Sequence, residues 1–391
     1  MSNQLTRLQI KNFRSLADID IKITALNILF GPNGAGKSTF LDSIWFLRDC
    51  AIRGVDLASS EREHGIGLLW DASEPEENIS IALETDAELY QVSFGYSSGR
   101  IEPFVGENLL SKNYNFPLII RTIGSDKAQI YGDSQQLKLM TLREPEKLAL
   151  TLYIFLETQD LAASNIDKLL RQVRRYESRS ASLFKIKRFG SESDYGDILQ
   201  DRCENLWAVL RNLHDKQVMD DRYNTIISFM RESFPTFADL FFEQTGPYTV
   251  YGNFLEKGRR KPIRASGVSD GHLQMLINLT ALFSEGKERY SLILFDEPEL
   301  SLHPWALATF AKAVKLATEE WNKQVFIATH SPVLISQFEP ENILTAELNE
   351  EGKTVMRRVS EIEGIQDLLE EYATGSLYMA EMIAPQSKSL S

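Results

Sequence analysis

The chain has 391 residues and a mass of 44.5 kDa, which at roughly 150 residues per domain predicts two or three structural units. Apolar residues make up 43% and charged residues 25%, which excludes a disordered, collagen-like or coiled-coil-dominated chain. The net charge of −13 and a pI near 5.1 exclude a surface that coats nucleic acid or anionic membrane throughout, so any such contact is local.

Cys50 and Cys203 form no CxxC pair, so the sequence predicts neither a disulfide framework nor a zinc site. No apolar run approaches the roughly 20 residues that span a bilayer, and the first fifteen residues lack the apolar core of a signal peptide. The expectation is a cytoplasmic protein with no membrane association.

In chain order, the alternation at Leu5, Leu8 and Ile10 and then at Ile19, Ile21 and Ile23 predicts two half-buried strands. The run from Leu26 to Phe30 predicts a fully buried strand that stops at Gly31. After Lys37, Phe40, Leu41, Ile44 and Leu47 fall on one helical face. Residues 50–78 read as irregular and acidic, followed by a strand pair at 79–83 and 89–94. Residues 144–233 read as mostly helical, with a break at Gly190–Gly196 and no sustained heptad. Strand-like segments return at 240–242 and 248–254, then an apolar helix at 272–283. The remaining elements are a buried strand at 292–295, an amphipathic helix carrying Leu307, Phe310, Val314 and Trp321, and a buried strand at 325–328. Short buried strands alternating with helices predict a parallel sheet covered by helices.

Gly31–Ser38 satisfies the pattern GxxxxGK[ST] between a predicted strand and a predicted helix, the context that makes this pattern a phosphate-binding loop. Asn33, Gly34, Ala35 and Gly36 would present backbone N–H groups, Lys37 would reach the β- and γ-phosphates of ATP, and Ser38 and Thr39 open the helix. Ser38 would also hold Mg²⁺. The strand at 292–295 delivers Asp296 and Glu297 to a sheet edge, suited to a metal-holding carboxylate and a water-activating base respectively. Ser266–His272 is a small-residue loop that opens an apolar helix, so Ser269 and Gly271 form a second candidate phosphate cap. His330 ends the strand at 325–328 and could donate a hydrogen bond to a γ-phosphate oxygen, while His303-Pro304 reads as a helix start.

This ordered set resembles the ABC-type ATPase heads of the SMC, RecF and OLD-like group, in particular its stand-alone ATPases without a nuclease domain. The likeness runs through residues 1–48 and 262–345. It implies an α/β P-loop NTPase fold: an ABC-type head with a side β-sheet and an inserted helical subdomain. An N-terminal lobe would then span 1–143, the helical insertion 144–234, and a C-terminal lobe 235–391. It also implies a head-to-head dimer in which ATP on Gly31–Thr39 of one subunit is capped by Ser269 and Gly271 of the other, with Arg14 beside the nucleotide. The cap reads Val268-Ser269-Asp270-Gly271 where transporters carry Leu-Ser-Gly-Gly. Gln129, Gln135 and Gln136 are alternatives for the family's glutamine loop. Too few residues follow His330 for a nuclease domain, so further chemistry is expected from a separate effector, such as a nuclease or toxin, in DNA maintenance or defence.

Two basic clusters stand out. Arg171, Arg174, Arg175, Arg179, Lys185, Lys187 and Arg188 are opposed in sequence only by Glu177; Lys257, Arg259, Arg260, Lys261 and Arg264 precede the cap loop. Each is open to two readings, a DNA or RNA track or cations paired with acids elsewhere. Two further functional readings stand beside the switch: the ATPase subunit of a membrane transporter, disfavoured by the long separation of Lys37 from Asp296, and a non-hydrolysing ATP-dependent scaffold, disfavoured by Glu297.

Overall fold

The computed structural model describes residues 4–70, 77–131, 137–156, 161–365, 374–379 and 383. Its centre is a six-stranded sheet of β3 Leu26–Phe30, β12 Val173–Glu177, β17 Ser291–Asp296, β18 Lys323–Thr329, β19 Ile343–Leu348 and β20 Thr354–Arg358. Their order across the sheet is β12-β17-β18-β3-β19-β20. Neighbours from β12 to β19 pair in parallel, and β20 closes the edge antiparallel to β19.

The side sheet is antiparallel and has eight strands. They are β1 Leu5–Phe13, β2 Leu16–Lys22, β4 Ile79–Thr85, β5 Glu88–Phe94, β8 Gly106–Ser111, β9 Ile119–Arg121, β10 Lys127–Tyr131 and β11 Leu137–Thr141. Their order is β11-β10-β9-β8-β5-β4-β1-β2, and β6 Tyr96–Ser97 and β7 Arg100–Ile101 form a separate small ribbon. A third sheet is built on the hairpin of β14 Phe237–Gly246 and β15 Thr249–Glu256, with β13 Ser191–Glu192 and β16 Ile263–Arg264 both paired to β15.

The two faces of the central sheet bury different partners because successive residues of a strand point to opposite sides. Leu292 and Leu294 of β17 join the core formed with the side sheet and α1, Lys37–Arg53. Ile293 and Phe295 join the opposite core. That core is formed with α6 Leu206–Asp215, α7 Arg222–Ser233, α8 Asp270–Phe283 and α9 Pro304–Glu320. The central strands are buried on both sides and therefore lack the apolar–polar alternation of β5, whose burial pattern alternates strictly. Among the described residues no helix is long and apolar enough to cross a membrane.

Two expectations change. Residues 50–60, read as irregular, continue α1 to Arg53 and form α2, Val55–Ser60; the acidic stretch 71–76 lies outside the described residues. Within the segment read as helical lie α3 Ala149–Leu156, α4 Leu161–Arg171 and α5 Leu183–Arg188, but Val173–Glu177 is a strand. It is the outer parallel strand of the central sheet, with Glu177 in register with Asp296. Its two apolar residues, Val173 and Tyr176, are three apart and imitate a helical stripe, and pairing along one edge with β17 overrides that local signal.

Candidate functional site

Because β3, β17, β18 and β12 are parallel, their carboxyl ends share one edge. The registers Ala328 to Asp296, Thr329 to Phe30 and Glu177 to Asp296 bring the phosphate loop, the paired carboxylates, His330 and Glu177 into one row. That is the edge at which open parallel sheets bind ligands.

The phosphate loop is held tightly from behind. Gly36 has φ 96°, and a Cβ there would lie 2.3 Å from Thr354 Oγ1, so a side chain is excluded by both conformation and space. Thr354 in turn donates its hydroxyl to Ser15 Oγ at 2.8 Å and its N–H to the Ser15 carbonyl at 2.8 Å. Lys37 is buried and donates to the carbonyls of Gly31 at 2.7 Å and Pro32 at 2.8 Å. Burial holds its pKa below the ordinary lysine value, against the opposing pull of Asp296, Glu297 and Glu299. Ala35 is buried; Asn33, Gly34 and Ser38 are exposed, and Thr39 half-buried, at the open mouth of the loop.

Ser38 donates its hydroxyl to Asp296 Oδ1 at 2.9 Å across 258 residues of sequence. Asp296 is buried, and desolvation raises its pKa against the lowering effects of Ser38 and Arg175. Glu297 follows at φ 53°, a left-handed conformation that costs a non-glycine residue energy, and its N–H is anchored on the Ala328 carbonyl at 2.9 Å. One carboxylate oxygen lies 3.6 Å from His330 Nδ1 and the other 2.8 Å from Arg179. Glu299 is buried and accepts from Thr329 Oγ1 at 2.6 Å and from the His330 N–H at 3.2 Å, fixing the backbone that carries His330.

Three arginines converge on one carboxylate beside this row. Asp42 of α1 lies 2.8 Å from Arg62, 3.2 Å from Arg175 and 3.4 Å from Arg14. Arginine is thereby stacked around a single acid, and burial is outweighed: the Asp42 pKa is lowered through its hydrogen bond and charge contacts with Arg62, Arg175 and Arg14. Arg175 also lies 3.6 Å from Asp296. Sequence reading singled out Arg14 but not Asp42, Arg62 or Glu299. Asp42 left a readable trace as an acid among Phe40, Leu41 and Ile44; Glu299 left none.

The cap loop stands apart from the phosphate loop of its own chain. Among the described residues no hydrogen bond or ion pair joins 266–271 to 31–39; the loop is tied to Lys187, Tyr251 and His272 instead. Ser269 is the N-cap residue of α8, and its hydroxyl is 2.8 Å from His272 Nδ1, with no side-chain cap bond to the helix backbone. Gly271 is required by contact: a Cβ would lie 2.5 Å from the Ser301 carbonyl. His303 is the N-cap of α9 and accepts from the Trp305 N–H, as its position before Pro304 predicts.

Of the three glutamines considered for the glutamine loop, Gln129 lies in β10 of the side sheet, paired with β9 and β11, and Gln135 and Gln136 fall outside the described residues. The residue that ends β12 opposite Asp296 is Glu177.

Most cations of the first basic cluster meet acids of the same chain. Arg171 pairs with Asp167 at 2.7 Å, Arg174 with Glu285 at 2.9 Å, Lys185 with Glu204 at 3.0 Å and Lys187 with Asp270 at 2.5 Å. Arg175 and Arg179 face Asp296 and Glu297, and Arg188 stacks over Phe184. In the second cluster Arg259 pairs with Glu256 and Lys257 bonds the Pro235 carbonyl, whereas Arg260, Lys261 and Arg264 are exposed and have no ion pair among the described residues.

Comparison with known proteins agrees with this architecture. The chain is 23% identical over 380 residues to the OLD nuclease of Thermus scotoductus and 23% identical over 361 residues to the endonuclease GajA of Bacillus cereus, alignments that take in 91% and 87% of this chain. It spans 66% and 58% of the lengths of those two nucleases. A 61-residue stretch is 38% identical to the DNA replication and repair protein RecF of Bacteroides thetaiotaomicron, covering 15% of this chain and 16% of that protein. Among solved structures, an SMC head bound to the C-winged helix domain of ScpA superposes with a TM-score of 0.52 at 12% identity, covering 93% of this chain and 99% of that one. The shared fold is that of a P-loop NTPase head of the SMC, RecF and OLD-like group. Residues 26–336 match the model described as "AAA domain, putative AbiEii toxin, Type IV TA system", and the chain belongs to that family of P-loop ATPases.

Proposed function

We propose that the protein is an ATP-hydrolysing switch: two subunits close head to head on two ATP molecules, and hydrolysis reopens them. The observation that carries this reading is the Ser38–Asp296 contact at 2.9 Å, with Glu297 next in the chain, because it unites the phosphate loop with a metal-holding acid and a base. The setting proposed is DNA maintenance or defence against foreign DNA beside a separate effector, supported by the likeness to OLD nuclease and GajA.

The residues present fit ATP and Mg²⁺. The hydroxyl of Ser38 and the carboxylate of Asp296 form a hard-oxygen pair at the opening of a 17-residue helix, whose N-terminal amides and partial positive charge suit phosphate. Bound Mg²⁺ would neutralise charge on the phosphate oxygens there. Lys37 would exchange its two carbonyl partners for phosphate oxygens. Glu297, anchored by its backbone to β18, would accept the proton of the attacking water, and His330, held by Glu299, would donate to a γ-phosphate oxygen. Arg14 would stand beside the nucleotide on its Asp42 contact. Ser269 and Gly271 would cap the ATP of the partner subunit. In this reading opening and closing of the dimer would move the helical insertion, 144–234, while the lobes 1–143 and 235–391 share the central sheet, where β3 lies between β18 and β19.

The test is Glu297→Gln, which keeps the shape and removes the base. Turnover should fall at least about a hundredfold while a dimer persists in Mg-ATP on a sizing column. A variant that stays monomeric in Mg-ATP, or turns over at the wild-type rate, overturns the reading. Arg260, Lys261 and Arg264, exposed and without an ion pair among the described residues, support a second proposal, that DNA or RNA phosphates are contacted at 257–264 beside the cap loop.

A further inference from the structure

The cap loop carries a charge of the wrong sign for its proposed task. Asp270 is the first residue of α8, at the helix N-terminus whose amides and partial positive charge would receive a phosphate. A free carboxylate there repels a polyanion at close range. In the structure it is not free: Lys187 Nζ lies 2.5 Å from Asp270 Oδ1 and 3.1 Å from the Val268 carbonyl, so one ammonium grips the loop on both sides of Ser269. Residue 187 is bound to the loop a second time through its backbone. The Tyr251 hydroxyl donates to the Lys187 carbonyl and accepts from the Ser266 N–H at 3.3 Å.

The Lys187 side chain is four-fifths covered, whereas that of Asp270 is more than half exposed. The cation therefore lies beneath the loop and the acid at its surface. This arrangement leaves Ser269 exposed, with Gly271 buried behind it, while cancelling the charge that Asp270 brings. We infer that Lys187 is a positioning residue that shapes the cap loop and neutralises Asp270, making a cap of the Val-Ser-Asp-Gly type fit to receive phosphate. Its consequence in a dimer rests on the composite-site reading; its effect on the loop does not.

Two measurements separate the parts. In the nucleotide-free protein, amide hydrogen exchange across 266–271 should speed about tenfold in Lys187→Met and stay near wild type in Lys187→Arg, which keeps the charge and the donors. Unchanged exchange in Lys187→Met overturns the inference whatever the oligomeric state. With Mg-ATP, Lys187→Met should raise the protein concentration needed for dimerisation about tenfold or more while each subunit's affinity for ATP is unaltered, and adding Asp270→Asn should restore most of that deficit. If Lys187→Met dimerises like wild type, or the double variant recovers nothing, neutralisation is overturned. If wild type itself stays monomeric in Mg-ATP, the composite site fails while the exchange measurement still decides the role of Lys187.

Discussion

The two basic clusters look alike in sequence and differ in the fold in how many of their cations meet an acid. Residues 171–188 pair most of their cations with Asp42, Asp167, Glu204, Asp270, Glu285, Asp296 and Glu297, acids contributed by elements scattered along the whole chain; Arg174, Arg175 and Lys187 are mostly covered, whereas Arg179 and Lys185 make their pairs at the surface. Residues 257–264 turn Arg260, Lys261 and Arg264 to solvent, and among the described residues no acid meets them. The lesson is that cation density along a chain reports nothing about polyanion binding until the acids that the fold brings near have been counted. In the first cluster the counter-charges lie as far as 133 residues away in sequence, as Arg175 and Asp42 do.

The largest contrast should come from Arg175→Ala. It strips the cation from two buried acids, and unfolding in urea should show a loss of about 3 kcal/mol, less than a fully buried pair costs because Asp42 keeps Arg62 and Arg14. A loss below about 0.5 kcal/mol would place the first cluster in the same class as the second.

A smaller effect is expected at alkaline pH from Lys323, which lies near Arg174 and Glu285. Lys323 is fully buried, donates to the carbonyls of Gly286 and Arg289, and has its pKa pushed down by burial to about 8. A lysine whose folded pKa lies below its unfolded value of about 10.4 stabilises the fold as it loses its proton, so this contribution rises as pH climbs from about 8 to about 10. Relative to Lys323→Met, wild type should gain about 2 kcal/mol over that range in denaturant titrations. Parallel curves for the two proteins would show that Lys323 keeps an ordinary pKa.

The smallest stability effect belongs to the second cluster. Charge reversal at Arg260, Lys261 and Arg264 should change stability by no more than about 0.5 kcal/mol. The same variant should weaken any DNA or RNA binding and flatten its salt dependence by about one unit of slope for each phosphate that is no longer neutralised. Binding that survives reversal unchanged would remove nucleic acid from 257–264.

Much of the site was legible because its parts are local. Gly31–Ser38, Asp296–Glu297 and Ser269–Gly271 each sit at the junction of an apolar run and a small or acidic residue, and the junction alone predicts a strand or helix end. The missed parts are relations between distant segments. Val173–Glu177 carries too few apolar residues to announce a strand, and the three arginines on Asp42 come from the β1–β2 turn, the loop after α2 and β12. Only the assembled sheet makes them neighbours.

Thr354 gives this assembly an order in time. It backs Gly36 from far along the chain and is joined to Ser15 by two hydrogen bonds, both spanning 339 positions. On the ribosome, residues 31–38 leave the exit tunnel long before residue 354, and contacts of such wide separation form late. The phosphate loop thus gains its support only when the last strand of the central sheet docks, so a nascent chain lacks a finished nucleotide seat until synthesis has passed β20.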